Sequence, residues 1–286
     1  MHRGTCRTGI VVALTLLLTS TGTVFGAQAA AGSGSARSAQ APAQPQPATP
    51  APPAAGGLPN ADDISPDRPD VTNGARILDV GLAQLEIGGL HAVEGTSHTT
   101  GTPVTLRIGL TDWLEARVGG DGWLFQSDQG ATANGPGNVQ LAAKIRLLAD
   151  ADGAPLLAVL PTVNVPVASA EKGLGSGSAD YTLLVISGVD FGPRTHVDVN
   201  YGIGAIGAGE GEPRFAQHLL SASGSYQVNE KFNPYAEVFW FSRNDPDGDP
   251  AHGVDVGFIY TLTPRVAVDA GIQAGLSNAA TDVSVF

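Results

Sequence analysis

The sequence predicts an all-β protein, a transmembrane up-and-down antiparallel β-barrel of about twelve strands, and three observations predict it. Period-two segments recur along most of the chain, their connections alternate between short and long, and an apolar leader precedes them. The chain has 286 residues with 38 Gly, 20 Pro and 15% charged residues, a balance that leans away from a helical enzyme and toward turn-punctuated strands.

Residues 1–29 read as a secretory signal peptide. Arg3 and Arg7 precede the apolar run Gly9 to Leu18, and small residues end at Ala27-Gln28-Ala29. Cys6, the only cysteine, lies ahead of that run. The chain beyond the leader is therefore expected to carry no disulfide, no thiolate chemistry and no cysteine-based metal site. Residues 30–64, rich in Ala, Pro, Ser and Gln, lack the large apolar residues of a core and read as a disordered linker. Residues 65–286 are left for the barrel.

From Asp79 onward no helix-period segment of any length appears, and outside the leader no apolar run approaches the 18 residues of a spanning helix. In TPVTLRIGLTDWLEARVGGDGWL, Thr102 to Leu124, Val104, Leu106, Ile108 and Leu110 share one strand face, while Arg107 falls on the other. After Thr111-Asp112 the pattern resumes, with Leu114, Ala116 and Val118 set against Glu115 and Arg117. A half-buried strand of a soluble sandwich reads the same way, so the connections must decide. Short ones (TD after Leu110, ADADGA after Leu148, GPR after Phe191, VNEK after Gln227, TP after Leu262) alternate with long ones. The long ones are AVEGTSHTTG, QSDQGATANGP, ASAEKGLGSGSA, GAGEGEPR and SRNDPDGDPA. Membrane barrels alternate in this way because turns face one side of the bilayer and loops the other.

With apolar residues toward lipid, polar ones line the interior. Parity places Arg107, Glu115, Arg117, Lys144 and Arg146 inward on the second to fourth strands, along with Asp121. Asp190, Asp198, Glu237, Asp255 and Asp269 fall inward from the sixth strand on, without an inward Lys or Arg. One wall is thus expected to be mixed and basic-leaning and the facing wall acidic. Two interiors fit: a water-filled lumen with a transverse field that favours cations, or a closed lumen in which these charges pair and fill space.

SPDRPDVTNGARIL, GLAQLEIGG, RIGLTDWLEARVG, NPYAEVFWF and DAGIQAGL resemble the outer-membrane β-barrel family named for the meta-pathway of phenol degradation, often labelled transporters. Asp67-Arg68-Pro69-Asp70 with Thr72-Asn73-Gly74 matches that family's opening motif, and Gln84-Leu85-Glu86 its first strand. The resemblance covers the chain from about Ser65 to the end. It implies an outer-membrane channel or transporter for small solutes, aromatic or amphiphilic ones included, exported by the signal peptide and folded by periplasmic chaperone and barrel-assembly machinery. Outer-membrane lipid and the solute are the remaining expected partners. One departure stands out: Asp282 and Ser284 share a face with Phe286, where the family usually has apolar residues.

Two other readings stay open: a closed structural or surface-interaction barrel, and a membrane-embedded lipid hydrolase. No nucleophile and base can be paired for the latter, so the expectation is a non-enzyme with no catalytic residue. No cofactor or metal site is expected either. Asp245, Asp247 and Asp249 in NDPDGDP lack the glycine position and the bidentate Glu of an EF-hand, and the histidines lack metal spacing. GLGSGSAD has no following Lys or helix to make it a phosphate cradle. Trp113, Tyr201, Tyr226, Trp240 and Tyr260 fit interfacial girdles or ordinary strand positions. A formal charge of -12 argues against a nucleic-acid partner.

Overall fold

The computed structural model describes residues 64, 66–67, 71–149 and 155–286, and the backbone alone of 12–14. The signal peptide expected over 1–29 and the linker expected over 30–64 lie outside the described residues, apart from that short backbone stretch and Ile64. Among the described residues there are seventeen strands in one sheet and no helix. The first half of the chain holds β1 (Val12–Leu14), β2 (Ala83–Ile87), β3 (Leu90–Glu94), β4 (Ser97–Gly101), β5 (Val104–Gly109), β6 (Leu114–Gly120), β7 (Trp123–Asp128), β8 (Ala131–Pro136) and β9 (Val139–Leu148). The second half holds β10 (Leu156–Val165), β11 (Asp180–Phe191), β12 (Thr195–Ile206), β13 (Phe215–Tyr226), β14 (Phe232–Phe241), β15 (Ala251–Thr263), β16 (Val266–Gly275) and β17 (Val283–Val285). β1 pairs with β2 in parallel; every other pairing is antiparallel.

From β9 to β17 each strand pairs with the next in sequence, the up-and-down order expected. β17 pairs with β16 on one edge and with β3 on the other. The count of segments departs from about twelve because eight of them form four pairs, each split by two residues: Gly88-Gly89, Thr102-Pro103, Asp121-Gly122 and Gly137-Asn138. β2, β5, β6 and β9 pair among themselves below these breaks, and β3, β4, β7 and β8 above them. Bonds between the breaks line them up across the sheet, with Thr102 N donating to Trp123 O at 3.2 Å and Gly137 N to Gly122 O at 2.8 Å. The result is a crease. Gly122 allows it, since its φ is +66° and a Cβ there would collide with the Thr102 carbonyl. Alternation continues through each break, so periodicity alone does not reveal it.

Two segments expected as long loops, AVEGTSHTTG and QSDQGATANGP, instead supply the hairpins β3–β4 and β7–β8. Their turns are only two residues long, Gly95-Thr96 and Gln129-Gly130, and Gln129 and Gly130 both have positive φ, as a tight hairpin turn requires. Polar composition had suggested loops; the ladder bonds of these strands are indifferent to it. The other three long connections do lack strands.

The apolar part of the interior is small. Leu156, Ala158 and Leu160 of β10 and Ile186 of β11 pack together with Ala75, which precedes the first barrel strand. Larger apolar side chains sit on the opposite face, exposed, including Leu106, Val118, Leu141, Val238 and Val256.

Candidate functional site

Side chains alternate across a strand, and in this sheet the charged set is the buried one. Asp255 is 1% exposed and Val256 beside it 52%; Glu237 is 2% exposed and Val238 57%. Arg107, Glu115, Arg117, Lys144 and Asp269 are buried in the same way. Buried charge is tolerated best when paired and hydrogen-bonded, and for Arg107, Arg117 and Lys144 the partners are carboxylates of the same or neighbouring strands and of Asp67.

On β5, β6 and β9 the charges form one network. The Arg107 guanidinium forks onto Glu115, with Nε to Oε1 at 2.9 Å and Nη2 to Oε2 at 3.0 Å, and its Nη1 donates to Glu86 Oε1 at 3.0 Å. Arg117 Nε donates to Glu115 Oε1 at 2.6 Å. At the centre stands Asp67, which belongs to no strand. Its Oδ2 accepts from Arg117 Nη2 and Lys144 Nζ and lies 3.8 Å from Arg107 Nη2. Burial opposes ionisation of Asp67, but the charges of Lys144, Arg117 and Arg107 outweigh it and hold the carboxyl well below the usual aspartate range.

A short way after Asp67 in sequence, residues 71–80 reach from the network to the acidic strands. Val71 N and Thr72 N donate to Glu237 Oε1 and Oε2 on β14 at 3.0 and 2.8 Å. Thr72 Oγ1 donates to Ser221 Oγ on β13 at 2.8 Å. Asn73 and Asn200 of β12 exchange bonds, Asn73 N to Asn200 Oδ1 at 2.8 Å and Asn200 Nδ2 to Asn73 O at 2.9 Å. Ala75 N donates to Asp198 Oδ1 at 3.2 Å, and Leu78 N returns to Glu115 Oε2 at 2.7 Å. Strands distant in the sheet order thus grip opposite sides of one segment, so the sheet curls around it. Ile64 and the segment's far end both lie by short connections. Ile64 N donates to Pro264 O at 2.8 Å, and Gly81 N to Gly109 O, next to Leu110, at 2.9 Å.

Each expected residue has a definite place. Glu237 faces Asp255 directly across the β14–β15 ladder, two buried carboxyls side by side. Asp190 and Asp198 flank His196, whose Nδ1 and Nε2 lie 2.6 and 3.0 Å from them, and Asp190 also pairs with Arg76 at 2.9 Å. Asp269 is buried on β16, and Arg146 is half-buried near the end of β9. Asp121 lies in the crease and accepts from Asn138 N at 3.0 Å. Asp245, Asp247 and Asp249 are exposed in the loop after β14.

Parity reasoning missed the residues that join the two sides. Asp67 delivers a negative charge to the basic side, and Arg76, nine residues on, a positive charge to the acidic side. Glu86 and Asn200 were missed as well; Glu86 shares a face with Gln84 on β2, a signal that was legible. Beyond the segment remains a cavity of about 470 Å³, lined by Asp67, Asn73, Glu86, Arg117, Gln140, Thr162 and Phe286 among others.

A model of the family described as putative MetA-pathway of phenol degradation matches residues 66–285. The chain belongs to that family. The match starts at the interior segment, so the phenol-degradation family model takes in Asp67 and Asn73 as well as the strands around them. In fold, this family member is similar to a NanC porin solved in a rhombohedral crystal form, with TM-score 0.50 and 11% identity over 69% of this chain and 94% of that one. No curated protein matches it.

Proposed function

We propose that the chain is a non-enzymatic outer-membrane porin-like channel for small solutes, aromatic and amphiphilic ones included, narrowed at its short-turn end by Asp67 and residues 71–80. The observation that carries this reading is the inverted sheet: apolar side chains outside, charges inside, and a cavity of about 470 Å³ among them. An outer face of that extent is too apolar for water and suits lipid. Exposed Trp113, Tyr226 and Tyr260 near the short connections, and Tyr181 and Trp240 toward the long ones, support two interfacial girdles. No described helix is long and apolar enough to cross a membrane, and a barrel needs none. The leader over 1–29 would export the chain, and assembly machinery would insert it.

In this reading Arg107, Glu115, Arg117, Lys144, Arg146, Asp190, Asp198, Glu237, Asp255 and Asp269 line the lumen. Asp67 and Arg76 divide it by supplying each wall with the opposite charge. The acidic side keeps the Glu237–Asp255 pair, so ions passing there should be mainly cations. Chain refolded into detergent, verified by heat-modifiable gel migration and placed in a planar bilayer, is expected to give small cation-selective steps. Asp255→Lys and Asp269→Lys are each expected to move the reversal potential toward anions. Unmoved potentials would remove these residues from the conduction path.

A second reading, a permanently closed structural barrel, is favoured by the paired interior network. It predicts no current from the folded protein, even after the segment is dislodged. Both readings share the lipid-facing band, which has its own test. Val238→Arg is expected to destabilise the membrane-inserted protein by roughly 2–4 kcal/mol, the cost of a cation near the bilayer midplane. Equal urea midpoints in liposomes for Val238→Arg and the parent chain would place Val238 outside the lipid.

A further inference from the structure

We infer that Arg107, Arg117 and Lys144 form a carboxylate-binding site on the lumen wall, occupied in the resting protein by the chain's own Asp67, and that a solute carboxylate opens the channel by replacing it. The inference rests on the channel reading and names its solute class. Asp67 is held as a bound ligand would be: its carboxylate comes from outside the sheet and takes two charge-assisted contacts on one oxygen, from Arg117 and Lys144. Three wall cations face two wall carboxylates there, Glu86 and Glu115, which leaves one positive charge for an anion to balance.

The rest of the segment is attached without a charge pair on that side. Glu237, Asn200 and Asp198 accept from its main-chain amides, Lys144 donates to the carbonyls of Gly74 and Arg76 and Arg117 to Asn73 Oδ1, and Ala75 contributes one small apolar contact. Asp67 is thus its ionic anchor on the basic side. The cavity touches both members of that anchor, being lined by Asp67 and Arg117. At about 470 Å³ it lies within the range of small-molecule sites, and Leu90, Leu160, Leu184 and Phe286 give it apolar surface beside the charges. The fitting solute is a small amphiphilic carboxylate. Its carboxylate would turn toward the basic wall, as the Glu237–Asp255 side repels it. One surplus positive charge beside apolar surface suits a singly charged amphiphilic carboxylate better than a phosphate, which is more strongly charged and has no apolar part to bury there.

A tethered competitor acts at an effective concentration in the millimolar range or above, so removing it should expose the site. Sodium benzoate, benzyl alcohol and inorganic phosphate would be titrated by calorimetry into the folded full-length mature chain and into Asp67→Asn. Asp67→Asn is expected to bind benzoate roughly tenfold or more tightly than the parent, with benzyl alcohol and phosphate weak in both. Equal benzoate affinity in the two proteins, or phosphate binding as tight as benzoate, would overturn the inference. Should Asp67→Asn not fold, Thr72→Cys with Asp67 intact gives the second readout. Benzoate, and not benzyl alcohol, is expected to speed its labelling by a water-soluble maleimide severalfold. An unchanged labelling rate would overturn the inference. Benzoate binding without current in the bilayer would instead count against the channel reading alone.

Discussion

Arg107→Met is expected to lower stability by about 3–5 kcal/mol, the usual cost of removing one partner from a buried ion pair. Arg107 forks onto Glu115 with two nitrogens and reaches Glu86 with a third, and all three side chains are buried. Without it, three carboxylates (Asp67, Glu86 and Glu115) would share only Arg117 and Lys144. Lysine retains the charge but cannot form the fork, so Arg107→Lys should fall between. The midpoint of heat-modifiable migration would rank the variants against Arg146→Met, which alters a half-buried residue near a strand end. If Arg107→Met lost no more than Arg146→Met, the network would be dispensable to the fold.

Gly109→Leu is expected to raise conductance severalfold while the barrel still folds. An added Cβ at Gly109 would meet the carbonyl oxygen of Leu78 at 2.6 Å and collide with that of Asp79, both backbone atoms that cannot swing aside. Directly after residues 71–80 the chain rests on β5 at this point, through Gly81 N to Gly109 O and Gly109 N to Leu82 O. A bulky side chain there should lift residues 78–80 from the wall. A folded variant with the parent's current would mean that the segment does not limit flow.

Much of the buried face was legible from alternation, because an apolar exposed face and a charged buried one invert the soluble pattern without altering its period. Arg107, Glu115, Arg117, Lys144, Glu237, Asp255 and Asp269 all lie on the buried face of their strands. Asp190 and Asp198 are more open, since they lie toward a short turn where Arg76 and His196 meet them. Asp67 was legible only as a letter in a motif. A residue outside every strand has no parity, and its contacts with Arg117 and Lys144 span 50 and 77 residues of sequence. The strand breaks escaped for a related reason: two inserted residues restore the period, so the pattern runs on while the ladder shifts.

Most of the wall's hold on segment 71–78 falls on main-chain groups: Glu237 takes the amides of Val71 and Thr72, Asn200 that of Asn73, Asp198 that of Ala75 and Glu115 that of Leu78, while Asn200 and Lys144 donate to the carbonyls of Asn73, Gly74 and Arg76. Every residue except proline offers the same N–H. The cradle is therefore largely blind to side-chain identity where the side chain is not buried, and the chain can drift at Val71 without losing its seat. If the barrel is the channel proposed, its solute preference can then be re-tuned by descent, or at the bench, through a few letters of one short peptide while the wall stays as it is.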